Sequence, residues 1–108
     1  MVKSQNLDRT FAALADPTRR ALLAQLSKRG TVSVSDLARR HPMSLPAIMK
    51  HLDVLSSAGL VTRTKTGRTV ACQLGARPME QAVEWLNRYQ VFWSGSLDRL
   101  AAFVEEKK

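Results

Sequence analysis

The spacing of apolar residues changes at Gly59, and that change constrains the order of elements this chain can build. Before it, Ile48, Leu52 and Leu55 recur at i, i+4 and i+7, the repeat of a helix with one apolar face. After it, Leu60 to Lys65 and Thr69 to Leu74 are rich in β-branched residues. Thr66-Gly67-Arg68 between them reads as a hairpin turn, with glycine where a positive φ is needed. Upstream, Ser33 has Asp36 three places on, the acidic form of a capping-box spacing, which starts a short helix through Leu37, Ala38 and Arg40. His41-Pro42-Met43 is then a turn. Ser44 caps the following helix, Pro46 is tolerated in its first turn, and Gly59 closes it. Helix, tight turn, helix and hairpin over residues 33 to 74 predict a winged helix-turn-helix, a module that reads DNA.

The flanks read as helices. Leu7, Phe11 and Leu14 place an apolar face on a segment from about residue 6 to 15. Asp16-Pro17 ends it, because proline disfavours helical geometry in the residue before it, and starts the next helix, because proline fits a first turn. Leu22, Leu23 and Leu26 face inward on that second helix, which closes at Lys28-Arg29-Gly30. Thr31-Val32 has room for a small strand only. From Pro78 one long helix is expected nearly to the end, with Ala82, Leu86, Tyr89, Trp93, Leu97, Leu100 and Val104 at near-heptad spacing, and with Trp85, Phe92 and Phe103 widening the stripe. The predicted fold class is therefore mainly α with a small β-hairpin wing. Residues 1–108 form a single domain, with the helix-turn-helix at about 33–58, the wing at about 60–74 and dimerisation helices at about 6–15 and 78–105.

Charge agrees with a nucleic-acid partner. Lys and Arg number 17 against 9 Asp and Glu, a formal net charge of +8 with a pI near 10.6. Such an excess steers toward polyanions and gains from counterion release at phosphates. An anionic membrane surface is the second candidate by charge. However, no apolar run approaches the roughly 18 residues that span a bilayer, and the start of the chain has no signal-like stretch. The expected location is the cytoplasm, at the nucleoid when DNA is bound. Cys72 is the one cysteine, so no disulfide forms within the chain.

The terminal stripe holds both tryptophans and more aromatic surface than so small a domain covers by itself. Either it folds back on its own core, or a second copy covers it. The expectation is a homodimer built on Leu7, Phe11, Leu86, Tyr89, Trp93, Leu97 and Leu100, whose two-fold axis sets two recognition helices in successive major grooves of an inverted repeat.

Several ordered blocks carry a resemblance: Phe11 to Arg20 (FAALADPTRR), Val34-Ser35-Asp36-Leu37-Ala38, Met43 to Leu52 (MSLPAIMKHL) and Ala58-Gly59-Leu60-Val61. Together they resemble the ArsR/SmtB family of bacterial winged-helix repressors over nearly the whole chain. The Trp85-Leu86 and Phe92-Trp93 pairs are similar to a non-metal branch of it. The resemblance implies a dimeric repressor that binds operator DNA, regulates its own operon, and is often released by a small effector. Metal-sensing members carry a Cys-x-Cys-type pair where this chain reads Ser33-Val34-Ser35-Asp36, and others use Asp and His on the terminal helix, where residues 78–108 contain no histidine. Zinc takes about four N, S or O ligands, and one Cys and two His do not furnish either family site. No metal and no cofactor are expected.

The DNA-binding set expected from the outward face of the second helix and from the wing is Ser44, Leu45, Pro46, Met49, Lys50, Arg63, Lys65 and Arg68. The family commonly has a small polar residue at the position of Met49. Base reading would then rest on apolar contacts with thymine methyls, Lys50 at guanine and Arg68 sensing minor-groove width. His51 reads as a structural histidine rather than a ligand. Arg19 and Arg20 read as internal pairing residues, Glu84 and Arg88 as a surface i, i+4 pair, and Cys72 as a buried strand residue. A redox or small-molecule response through Cys72, or a protein-interaction module, is the alternative function. No phosphate loop, metal cluster or nucleophile with a histidine in context points to an enzyme.

Overall fold

The computed structural model describes residues 2–106; the side chains of 2–5 and of Trp93 lie outside the described residues. The order of elements is α1 (Val2–Leu14), α2 (Pro17–Arg29), β1 (Val32–Ser33), α3 (Val34–Arg39), α4 (Leu45–Ser57), β2 (Val61–Thr66), β3 (Thr69–Leu74), α5 (Ala76–Asn87) and α6 (Gln90–Glu106). It is a mainly helical winged helix-turn-helix.

Local chemistry sets the boundaries. The Asp16 carboxylate accepts from the Arg19 amide at 3.0 Å and Pro17 takes the first position of α2, so one helix ends and the next begins within three residues. Ser33 caps α3 by accepting from the Asp36 amide at 3.1 Å. The Asp36 carboxylate turns instead to Arg29, at 2.8 Å, and to Arg39. Gly59, at φ +77°, lets α4 stop in a Schellman turn: the Leu60 amide donates to the Leu55 carbonyl at 2.9 Å and the Gly59 amide to Ser56 at 3.0 Å.

The three strands are antiparallel in the order β1-β3-β2. Val32 pairs with Cys72, and the hairpin runs in register from Val61 opposite Leu74 to Thr66 opposite Thr69. The core lies between α2, α3, α4 and this sheet. Leu22, Leu37, Ile48, Leu52, Leu55 and Cys72 have no solvent exposure. Each fully buried leucine or isoleucine contributes about 1.5–3 kcal/mol by leaving water, so α4 is held mainly by its inward face.

The C-terminal region departs from the single helix expected from residue 78. α5 starts at Ala76 and ends at Asn87, and α6 restarts at Gln90. Arg88 and Tyr89 donate to carbonyls three residues back, Trp85 and Leu86, which tightens the chain out of α geometry. Neither proline nor glycine marks the break; Asn87 is a weak helix former at the point where it occurs. The apolar stripe is thus split. α5 packs on α1, with Ala82 buried and Trp85 half-buried. α6 is absent from the extended helix and strand packing and leaves Val91 87%, Phe92 74% and Leu97 61% exposed. The Cα radius of gyration is 18.0 Å, against about 13 Å for a compact chain of this length.

Candidate nucleic-acid interface

The outer face of α4 begins with a capped and uncluttered turn. The Ser44 hydroxyl accepts from the Ala47 amide at 3.3 Å. Leu45 and Pro46 follow, both exposed, and Lys50 lies exposed one turn on. Serine caps here because its oxygen satisfies an amide with no partner inside the helix. Pro46 has no N–H and the Ala47 and Ile48 amides are bonded to Ser44, so the Leu45 amide is the donor this turn keeps for an anion such as phosphate. Met49 differs from the expectation of an outward residue: it is half-buried and packs against the core, because its position lies next to the Ile48 and Leu52 ridge. Its long, flexible side chain reaches back over that ridge.

The wing is the β2-β3 hairpin. Gly67 has φ +62° and Arg68 a negative φ, so the two-residue turn has the form of type II′, whose twist matches that of the strands. Lys65 and Arg68 are exposed near its tip. Arg63, expected from sequence at the DNA face, is engaged within the chain. Its Nη1 donates to Asp53 Oδ1 at 2.8 Å, which ties β2 to α4. It also sits opposite Cys72 in the register, and that thiol is pushed up from its ordinary pKa by burial, with the Arg63 charge opposing the shift. A protonated thiol without solvent access is a poor nucleophile.

Two further contacts fix the angle between wing and helix. The Gly75 amide donates to the Leu60 carbonyl at 2.8 Å. A Cβ at Gly75 would stand 2.1 Å from the Gly59 carbonyl oxygen, so the end of β3 lies against the end of α4 as only a glycine allows. Behind α4, Arg19 donates from Nε to the Ala13 carbonyl at 2.7 Å and from Nη2 to Ala12 at 3.1 Å. Its Nη1 is 3.4 Å from His51 Nδ1, and Asp16 Oδ2 is 3.8 Å from the same nitrogen. The Arg19 amide, bonded to the Asp16 carboxylate, is the chief reason that this carboxyl is held below its ordinary pKa. Arg20 caps the Leu14 carbonyl at 2.7 Å. Arg19 and Arg20 therefore satisfy carbonyls at the end of α1, and neither forms an ion pair among the described residues.

The expected residues thus separate into groups. Ser44, Leu45, Pro46 and Lys50 share the start and outer face of α4, Lys65 and Arg68 share the wing, and Arg63 and Met49 are drawn inward. Of the expected dimer residues, Leu7 is half-buried, and Leu86, Tyr89, Leu97 and Leu100 are exposed. Phe11 packs edge-on against Trp85 of its own chain, centroids 5.6 Å apart, and Trp85 against Tyr89 at 5.3 Å. The expectation for the Trp93 side chain falls outside the described residues. Sequence reasoning missed Asp53 as the partner of Arg63 and Gly75 as the contact at the root of the wing; a glycine directly after the last strand is the one signal that pointed to the latter. Among the described residues there is no grouping of His, Cys, Asp and Glu that would hold a metal, and no helix is long and apolar enough to cross a membrane.

Residues 14–64 match a family model described as a helix-turn-helix domain. The HTH-type transcriptional regulator Rv2034 of Mycobacterium tuberculosis is 36% identical over 100 residues, covering 93% of this chain and 90% of that protein. The transcriptional repressor SdpR of Bacillus subtilis is 29% identical over 80 residues, 74% of this chain and 88% of its own. The crystal structure of an ArsR family transcriptional regulator superimposes with a TM-score of 0.77 at 41% identity, covering 84% of this chain and 93% of the other.

Proposed function

The chain belongs to the ArsR family of winged helix-turn-helix, DNA-binding transcriptional regulators, and from that premise we propose that it acts as a homodimeric repressor of an inverted-repeat operator, its own operon included. The observation that carries the reading is the exposed start of α4, with Lys50, standing beside a hairpin whose tip bears Lys65 and Arg68. Ser44, Leu45, Pro46 and Lys50 enter the major groove, with Met49 beneath them as support. Lys65 and Arg68 follow the backbone or minor groove alongside, and Arg63 sets the wing angle. A small-molecule effector, not a metal, relieves binding, and the protein works in the cytoplasm at the nucleoid. All of residues 1–108 serve as one unit, with α1 and the C-terminal helices as the dimerisation part.

The apolar surface left open on α6 supports the dimer, since a patch of this kind is ordinarily closed by an interface. Fluorescence anisotropy with the duplex upstream of its own gene, a scrambled duplex and a salt series tests the reading. Tight, competitor-resistant binding to the upstream duplex alone is expected. Lys50→Ala and Arg68→Ala each weaken it, and each lost phosphate contact lowers the salt slope by about 0.9. Equal binding to both duplexes, or unchanged affinity in both variants, overturns the assignment.

A further inference from the structure

A cleft of about 470 Å³ opens on the side of α4 away from its reading turn, between the last turn of α4, α1 and the start of α5. Its lining includes Asn6, Ser56, Ser57, Arg77 and Gln81. Its size falls within the range of small-molecule sites, and its chemistry is one-sided. Arg77 is the charged member of the lining, with no carboxylate beside it in the cleft. Among the described residues Arg77 has no ion-pair partner. Ser56 is part of this lining, and its hydroxyl oxygen is buried without a hydrogen-bond partner, an unfavourable condition that a hydrogen-bonding ligand would relieve. Gly75 supplies no side-chain cap to α5, and of the two α5 residues that begin this wall, Arg77 and Pro78, only Arg77 has a backbone N–H.

We propose that this cleft binds a small oxyanion-bearing metabolite, a carboxylate or phosphate held by Arg77 with Ser56 and the Gln81 and Asn6 amides around it, and that its occupancy changes DNA affinity. The route is short. Ser56 and Ser57 belong to the same helix that begins with the reading turn, and the Gly59 stop that ends it also lines the cleft. A ligand that favours one position of the α4 terminus over another shifts the helix as a body, and DNA must then shift ligand affinity by the same factor. The coupling rests on the DNA reading above; binding in the cleft does not.

The full-length, ¹⁵N-labelled protein is titrated with succinate, citrate and inorganic phosphate while amide shifts are followed. Saturable shifts clustered at Ser56, Ser57, Gly59, Arg77 and Gln81 are expected. Arg77→Gln should weaken them about tenfold, and Ser56→Ala by less. Succinate or citrate acting alone marks a carboxylate site, phosphate acting alone a phosphate site. No saturable shift with any of the three at millimolar concentration, or shifts indifferent to Arg77→Gln, overturns the site. In anisotropy, the bound probe should change the operator Kd about fivefold or more; an unchanged Kd overturns the coupling. A protein that binds the probe in the cleft and no DNA at all refutes the DNA reading and leaves the site standing.

Discussion

Helices α4 and α6 make opposite use of their apolar residues. α4 sends Ile48, Leu52 and Leu55 into a core closed by α2, α3 and the sheet, and none of the three touches solvent. α6 is longer and carries Val91, Phe92, Leu97, Leu100 and Val104, every one more than half exposed. Apolar content alone does not decide which helix is held. α4 is covered because short connections fold neighbours onto it from both sides, whereas among the described residues no element packs extensively on α6. The first helix is stabilised by its own chain, and the second leaves its apolar residues open, the surface on which the proposed dimer rests.

The largest effect should follow from attacking the closed side of this comparison. Leu52→Ala removes a fully buried side chain with little room for collapse, and should cost about 2–5 kcal/mol in urea unfolding. A loss under 1 kcal/mol would mean that α4 is no better held than α6. Next comes the root of the wing. Gly75→Ala forces a Cβ against the Gly59 carbonyl, and should destabilise by about 1–3 kcal/mol, as overpacking does. It should also lower operator affinity, because the wing leaves its angle; calorimetric melting and anisotropy on one sample read both.

The open side is tested by Leu97→Glu with Leu100→Glu. Since both residues are exposed within the chain, unfolding of the single subunit should change by about 0.5 kcal/mol or less. In sedimentation equilibrium, however, the dimer dissociation constant should rise about tenfold or more, a shift of about 1.4 kcal/mol. A dimer as tight as before would remove α6 from the interface. The smallest effect concerns Asp36, whose carboxyl is held below its ordinary 3.8 chiefly by the Arg29 hydrogen bond, with Arg39 adding to it. A carboxyl depressed in the fold stabilises above its ordinary pKa and loses that contribution as pH falls through the folded value. The Tm advantage of the native protein over Asp36→Asn should be small at neutral pH and disappear as pH falls below the ordinary 3.8 and through the lowered folded-state value. An advantage that persisted in acid would show that the Arg29 and Arg39 contacts do not act through charge.

Much of the helix-turn-helix was legible because its signals are local. Ser33, Asp16 and Ser44 cap helices within three residues of themselves, and Gly59 and Gly67 stand where positive φ is required. What escaped was either nonlocal or lacked a breaker. The pairing of Val32 with Cys72 joins segments forty residues apart. The Arg63 to Asp53 bond crosses from strand to helix, so no periodicity relates the two. The end of α5 at Asn87 passed unnoticed because the near-heptad spacing of Leu86, Tyr89 and Trp93 continues straight across it. Met49 lies on the border of the inward stripe, where a helical wheel assigns sides least well.

Arg19 has a consequence at the scale of the operator. Its guanidinium joins the last carbonyls of α1 to the middle of α4 through His51. In the proposed two-fold pair, built on α1, the distance between the two reading helices would be set partly at this side chain, and so would the number of base pairs that separate two half-sites. In that proposed pair a lengthened or shortened spacer would strain these bonds before it disturbed any contact with a base, and Arg19 would be part of the ruler by which the dimer measures its site.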